Sequence, residues 1–391
     1  VSTEIAAAAP ASLHEVEQRA SAYAREVVRP RAAQMARGGG AFPRELVSEA
    51  ANRGLAGLLV PQRYGGSNAG HLAFARMIEA VARECASSAV IVDVHVSVAA
   101  EPIVGYGSEE QKQRWLPALC SATALGAFAL TEPGSGSDAA ALRTAATRRG
   151  DGFVLRGSKA FITNAGAADL YIVMARTGGE GARGISAFLV EASRPGVRAG
   201  EPLRKMGLRG SWTAELHLDD VAVPASAMLG QEGQGFRIAM SALDSGRIGI
   251  SAQAVGIAQG ALDTAVHELR RHSTSRESPP QVLADMAAQI EAARALCAHA
   301  AAMCDAGEPF TAEAAVAKLV ATDTAMAVAQ AAAELCAPAS ASEDHPAAIR
   351  LRDAKACQIY EGTNQVQRMV IARALLARDA APARRSPRAA P

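Results

Sequence analysis

Aromatic residues make up only 4% of this 391-residue chain, and its net charge is +1 at neutral pH. So balanced a charge gives no electrostatic reason to expect nucleic acid or an anionic membrane as partner. The six cysteines, Cys85, Cys120, Cys297, Cys304, Cys336 and Cys357, form no CxxC pair and no zinc-ligand spacing. Buried free thiols are therefore expected, with no metal centre and no disulfide. Long apolar runs are missing too: the stretch 89–100 is interrupted by Asp93 and His95 and is too short to span a bilayer. The first residues lack a signal-peptide layout, so a reducing cytoplasm is the expected compartment. No GxGxxG follows a strand, which argues against a Rossmann nucleotide site.

What the chain does have is alanine, which carries much of a 49% apolar content and favours helix. Its length exceeds one ordinary hydrophobic core, so two or three packed units are expected. Residues 1–10 read as frayed. Helical spacing starts near Ser12 and resumes after Phe42-Pro43, through 71–85 and through 88–105. Ser108 followed by Gln111 reads as a helix cap. No strand is evident before Cys120. From Gly126 the character changes. Asp151-Gly152 separates the runs 143–149 and 153–156, a hairpin signal, and 171–175, 186–191 and 214–218 are strand-like. After Phe236 long helices return. Val255, Leu262, Val266 and Leu269 share one face, Leu283, Met286, Ile290 and Cys297 another. Val316, Leu319 and Val320 begin a third helix, and 362–377 form a fourth. The tail from Ala380, rich in Ala, Pro and Arg, reads as disordered.

One stretch carries chemistry: Gln358-Ile359-Tyr360-Glu361-Gly362-Thr363-Asn364-Gln365-Val366-Gln367-Arg368. A carboxylate before a glycine, on a bend beside a helix, can reach into an apolar pocket, where desolvation makes it a stronger base. By itself the pattern is better read as a plain helix N-terminus, with Glu361 in the first turn and Thr363 or Asn364 near the cap. Four further stretches precede it in order: Leu130-Thr131-Glu132-Pro133-Gly134-Ser135-Gly136-Ser137-Asp138, Phe161-Ile162-Thr163-Asn164, Lys205-Met206-Gly207-Leu208-Arg209-Gly210-Ser211 and Leu243-Asp244-Ser245-Gly246-Arg247.

These five stretches together resemble the signatures of the acyl-CoA dehydrogenases, over roughly residues 24–376. The resemblance implies an α+β fold: an N-terminal helical domain (1–125), a middle antiparallel β domain (126–232) and a C-terminal four-helix bundle with a tail (233–391). It implies FAD-dependent dehydrogenation of an acyl thioester, on coenzyme A or an acyl carrier protein, with short or medium straight chains preferred. Glu361 matches the base that takes the α-proton. Gly246 stands where some members place that base instead. Leu130, Thr131, Gly136, Ser137, Phe161 and Thr163 match positions along the flavin, with Phe161 where the family usually has Trp. Thr363 and Gln365 match contacts to the FAD phosphates and adenosine. Ser137, Asp244, Arg247, Tyr360 and Gly362 match substrate positions, although Asp and Arg three apart on a helix are more often a surface pair. A homodimer or homotetramer is implied, with electron-transfer flavoprotein or another acceptor as redox partner.

The sequence departs from the family at one place. Two motifs that close over the FAD pyrophosphate from a neighbouring subunit carry His272 in place of an arginine, and Glu334, Ala337 and Pro338 in place of a glutamine and glycines. A carboxylate repels a pyrophosphate, and proline removes an N–H donor. FAD is therefore expected to bind more weakly than is usual. Two other readings stay open on these residues: an FAD-free homologue using Glu361 for redox-neutral thioester chemistry, and a non-catalytic partner subunit.

Overall fold

The computed structural model describes residues 12–272 and 281–379. The expectations for residues 1–10, for the loop after His272 and for the tail lie outside them.

Helices make up the first region: α1 (Leu13–Tyr23), α2 (Ala32–Arg37), α3 (Arg44–Asn52), α4 (Gly70–Glu84), α5 (Ala86–Asp93), α6 (Glu101–Tyr106) and α7 (Glu109–Cys120). Two of these helices open on capping boxes, at Ser108 as expected and also at Ser12. The Ser12 hydroxyl accepts the Glu15 N–H while the Glu15 carboxylate accepts the Ser12 N–H, and Ser108 and Gln111 do the same. α5 runs through a wider-wound segment, Val94–Ala100, into α6. This continuous helix of 21 residues is, by length and composition, apolar enough to cross a membrane, contrary to the expectation from the sequence. It is instead a core helix, because 83% of its apolar window is buried inside the protein.

The second region is one eight-stranded sheet: β1 (Gly126–Ala129), β2 (Ala145–Arg149), β3 (Gly152–Thr163), β4 (Leu170–Arg176), β5 (Ile185–Glu191), β6 (Val197–Ala199), β7 (Thr213–Pro224) and β8 (Met228–Leu229). The strand order is β6-β7-β3-β2-β4-β5-β8, with β1 beside β4. The sheet is antiparallel except where β1 and the start of β2 run parallel to β4. Those pairings join strands that are not hairpin neighbours, so no turn signal announces them. The β2–β3 turn falls on Gly150-Asp151, one residue before the expected pair, because Arg149 pairs with Gly152. β3 pairs with β7 over most of its length, and a bulge between Lys159 and Ile162 turns Phe161 out of the ladder.

Among the described residues the C-terminal region holds the four expected helices and one more, α11: α8 (Gly235–His272), α9 (Gln281–Asp305), α10 (Thr311–Leu335), α11 (Pro346–Cys357) and α12 (Asn364–Asp379). α11 escaped the sequence reading because its buried face is mostly small, Ala347, Ala354 and Cys357, beside a charged Asp353. Asp353 is buried because its Oδ1 accepts the Leu208 N–H at 2.6 Å, which docks the 205–211 loop of the sheet region on α11. A second polar joint ties the helices together. His71 Nε2 lies 3.0 Å from Glu101 and its Nδ1 3.0 Å from Asp305, while Asp305 also accepts the His71 and Leu72 N–H groups at the start of α4. All six cysteines are free, and five of them are buried.

Candidate functional site

The segment 358–363 is the connection between α11 and α12, so Glu361 is not in the first turn of a helix. Its backbone is left-handed, φ +53°, and Gly362 follows at φ +88°. A non-glycine residue held there costs on the order of 1–3 kcal/mol, so surrounding contacts must impose the turn. They come from α10 and α12. The buried Lys318 ammonium donates to the Gly362 carbonyl and to Asn364 Oδ1, both at 2.9 Å. Gln367 Nε2 donates to the Gly362 carbonyl at 2.8 Å and the Glu361 carbonyl at 3.3 Å. Asp323 Oδ1 accepts from both Gln358 and Asn364 at 2.7 Å, pinning the two ends of the loop to one helix. Thr363 Oγ1 accepts the Val366 N–H at 3.3 Å and caps α12, as the local pattern suggested.

The turn aims the Glu361 side chain at α8. A Cβ built on Gly246 would overlap Glu361 Oε2 and sit 2.8 Å from its Cδ, so only glycine leaves room for the carboxylate. Position 246, where the resemblance puts the base of some members, and the Glu361 carboxylate thus address the same space. Glu361 Oε2 is buried and has no hydrogen-bond partner. Burial raises the Glu361 carboxyl well above the usual carboxylate range, and the nearby Asp93 raises it further, against Arg247 and Lys318, which lower it. Burial likewise lowers the Lys318 ammonium to about 8. A buried carboxylate with a raised pKa and a free oxygen is what a general base needs.

Asp244 and Arg247 pair on the first part of α8, but not at the surface: the Arg247 side chain is 5% exposed. Thr311 Oγ1 also donates to Asp244 Oδ2, at 2.6 Å. The Tyr360 hydroxyl donates to Gln253 Oε1, and Gln253 Nε2 donates to the Ala86 carbonyl at 2.9 Å. Arg247, Tyr360, Glu361 and Gly362 therefore meet along one side of α8.

A second cluster forms where the loop after β1 meets the outward end of β3. The Ala160 N–H donates to the Thr131 carbonyl at 2.8 Å. Buried Lys159 donates to the Leu130 carbonyl at 3.1 Å and to Glu132 at 2.7 Å. Glu132 also accepts the Arg143 and Thr144 N–H groups at 2.6 and 2.9 Å. Burial pushes the Glu132 carboxyl up, but Lys159 and these donors hold it below the usual range. Glu132 is thus the brace of the loop, not a surface turn residue. The brace leaves Gly136 and Ser137 exposed, and nothing lies within 4 Å of a Cβ on Gly134 or Gly136. Phe161, at φ +59°, is 67% exposed, and Thr163 lies beside it on the strand. A solvent-facing aromatic in a left-handed conformation, next to hydroxyls and bare glycine backbone, fits one face of a flat ring with a polar edge. Asn164, just after β3, ties this cluster to the helical region, donating to the Ile91 carbonyl on α5 and the Gly126 carbonyl on β1, both at 3.3 Å.

The chain matches three consecutive family models, the acyl-CoA dehydrogenase N-terminal domain over residues 11–123, middle domain over 127–221 and C-terminal domain over 233–376. The chain belongs to the acyl-CoA dehydrogenase family. It is 45% identical over 361 residues to an acyl-CoA dehydrogenase of Bacillus subtilis, covering 90% of this chain and 95% of that one. It superposes on butyryl-CoA dehydrogenase from Megasphaera elsdenii with a TM-score of 0.90 at 42% identity, covering 93% and 98% of the two chains. Glutaryl-CoA dehydrogenase from Mycobacterium smegmatis, solved in complex with FADH2, matches with a TM-score of 0.87 at 30% identity over 93% and 94%.

Gln365 is exposed at the start of α12. His272 ends α8, and the departure from the family that follows it lies outside the described residues. Glu334, Ala337 and Pro338 are exposed at the end of α10, and Glu334 accepts from Gln330 at 3.1 Å. Lys318, Asp323 and Gln253 were not singled out in the sequence, and Gln367, inside the Glu361 stretch, was given no role. Lys318, Asp323 and Gln253 are polar residues in alanine-rich runs of α10 and α8, which is the one signal that could have marked them.

Proposed function

We propose that this protein catalyses FAD-dependent α,β-dehydrogenation of a short-chain acyl-CoA, with Glu361 taking the proton from the carbon beside the thioester carbonyl. The observation that carries this reading is the buried, unpartnered Oε2 of Glu361, seated on Gly246 and held by a left-handed turn. Butyryl-CoA is the substrate named for the M. elsdenii relative, which supports a short chain.

Bound FAD supplies the hydride acceptor that no side chain provides. Leu130, Thr131, Gly136, Ser137, Phe161 and Thr163 would hold its ring end, and Thr363 and Gln365 its phosphate and adenosine end. Asp244 and Arg247 orient the thioester arm on α8, with Ser137, Tyr360 and Gly362 around the acyl group. Proton removal puts negative charge on the thioester oxygen, and the positive field of Arg247 and Lys318 beside Glu361 favours that charge. The enclosed carboxylate is poorly solvated, so its basicity is spent on the substrate and not on water. The relatives do not favour the redox-neutral alternative or the non-catalytic one. FAD affinity below the family norm remains our reading of Glu334, Ala337, Pro338 and His272. A homodimer or homotetramer, electron-transfer flavoprotein or another acceptor as oxidant, and a cytoplasmic location complete the proposal.

Flavin absorbance of the purified protein, before and after adding FAD, tests the cofactor. Butyryl-CoA oxidation by wild type and by Glu361→Gln tests the base. The variant is expected to keep its flavin and bind thioester but lose several orders of magnitude in kcat, as when an essential base is removed. Near-normal turnover by Glu361→Gln, or no flavin binding at saturating FAD, overturns the assignment.

A further inference from the structure

A second carboxylate lies beside Glu361, and neither the family signatures nor the proton transfer accounts for it. Asp93 ends α5 inside the apolar run from Val90 to Val98, with none of its surface exposed. Its Oδ1 accepts from Ser97 Oγ at 2.8 Å, while Oδ2 is buried with no hydrogen-bond partner. Like Glu361, it rests on a glycine of α8. A Cβ on Gly249 would overlap Asp93 Oδ1 and sit 2.8 Å from its Cγ. Gly246 and Gly249 are three residues apart on one helix, so they share a face and are separated by ~4.5 Å along its axis. The two carboxylates thus lie against the same face of α8, about one turn apart. Both keep a buried oxygen with no donor. No hydrogen bond joins them, although the charge of Asp93 acts on Glu361 and on Tyr360.

The groups along α8 form a row with a direction. Asp244 and Arg247, at the thioester end, come first. Gly246, under the reacting carbons, lies between them at the same turn. Gly249, under Asp93, is next, and Gln253 with the Tyr360 hydroxyl closes the row. An unsubstituted alkyl tail reaching Gly249 would leave Asp93 Oδ2 without a donor, and an unsatisfied buried carboxylate is costly. A tail bearing a donor at that depth would satisfy it.

We propose that Asp93 is a specificity-determining residue, selecting short acyl thioesters whose tail carries a hydrogen-bond donor, hydroxyl or amino, about three bonds beyond the carbon that Glu361 deprotonates. This inference rests on the dehydrogenase reading for the position of the acyl chain.

The test uses the FAD-loaded protein with butyryl-CoA, 4-hydroxybutyryl-CoA and 4-aminobutyryl-CoA. Wild type, Asp93→Ala and Asp93→Asn are compared by kcat/KM. Binding of the same three thioesters is measured by calorimetry in a Glu361→Gln background, with and without Asp93→Ala, where no turnover consumes them. Wild type is expected to favour a donor-bearing tail over butyryl by about ten- to a hundredfold. Asp93→Ala should bring the ratio to one or below. Asp93→Asn, similar in size and still an acceptor, should keep the preference for hydroxyl and lose that for amino, which separates the two kinds of donor. A preference of wild type for butyryl-CoA, or a ratio that Asp93→Ala leaves unchanged, overturns the inference. If wild type oxidises none of the three but an Asp93-dependent binding preference remains, the dehydrogenase reading fails and the site stands.

Discussion

Gly246→Ala separates catalysis from stability more sharply than loss of the base itself. The added methyl would overlap Glu361 Oε2 and stand 2.8 Å from Cδ, where ordinary contact begins near 3.4 Å. The neighbour is the end of a flexible side chain, so Glu361 can swing away and the fold survives. Relieving the overlap moves the carboxylate by about 1 Å. A displacement of about that size at a reacting group can cost on the order of a hundredfold in rate, or about 2.7 kcal/mol of barrier. Alanine inside α8 is meanwhile favoured over glycine by up to about 1 kcal/mol. The variant is therefore expected to melt at or above the wild-type temperature, to keep its flavin, and to oxidise butyryl-CoA roughly a hundredfold more slowly. Dye-coupled turnover, flavin absorbance and a thermal melt on one preparation measure all three. Wild-type kcat would refute the geometry, because the base would then not be seated on Gly246. The paired exchange Gly246→Glu with Glu361→Gly moves the carboxylate to the other side of the same space and should recover part of the activity lost in Glu361→Gly alone.

The remaining predictions concern charge. Burial raises the Asp93 carboxyl from 3.8 to about 7, so the folded protein holds that proton more tightly than the unfolded chain. The corresponding stability is fully present below pH ~4 and is lost as pH rises through ~7, on the order of 4 kcal/mol for the whole step. Asp93→Asn should flatten the fall in stability between pH 5 and pH 8, as followed by urea unfolding. Parallel curves for variant and wild type would count against a buried, ionising Asp93. Asp353, raised to about 6 by burial, contributes a fall of the same sign that the variant keeps. Lys318→Met removes a cation that lowers the Glu361 pKa, along with two hydrogen bonds. The rise of kcat/KM with pH, as Glu361 loses its proton, should move to higher pH. Each acceptor keeps a second donor, Gln367 for the Gly362 carbonyl and Thr322 for Asn364 Oδ1, so the two lost bonds should cost about 0.5–1.5 kcal/mol each, read from the unfolding midpoint. An unmoved pH profile would show that Lys318 does not act on the base. Asp93→Asn removes the neighbouring negative charge and should shift the same profile to lower pH, with Arg247 and Lys318 still facing the carboxylate and Tyr360 and Cys357 beside it.

The sequence by itself settled whatever depends on near neighbours. Ser12 with Glu15 and Ser108 with Gln111 are three apart, so their capping boxes form within a single turn. The ordered signatures pointed to the family, and of the two cap candidates, Thr363 and Asn364, Thr363 is the one that caps α12. Apolar spacing placed α8, α9 and α10, whose buried faces repeat at helical period. It failed at α11, a 12-residue helix whose few buried residues, Ala347, Asp353, Ala354 and Cys357, include a charged one, and at β1, whose parallel partner β4 pairs Gly126 with Leu170 with no turn to announce it. The working geometry of the site depends on contacts between residues far apart in the chain. Gly246 is an unremarkable helical glycine until Glu361, 115 positions later, is found lying on it. Lys318 and Asp323 are polar breaks in a helix until the 358–364 loop folds back on them. Asp93 in sequence only interrupts an apolar run. Packing α5 against α8 is what removes water from its carboxylate and sets it one helical turn from the base, so that two groups with ordinary pKa values in an extended chain become a buried acidic pair.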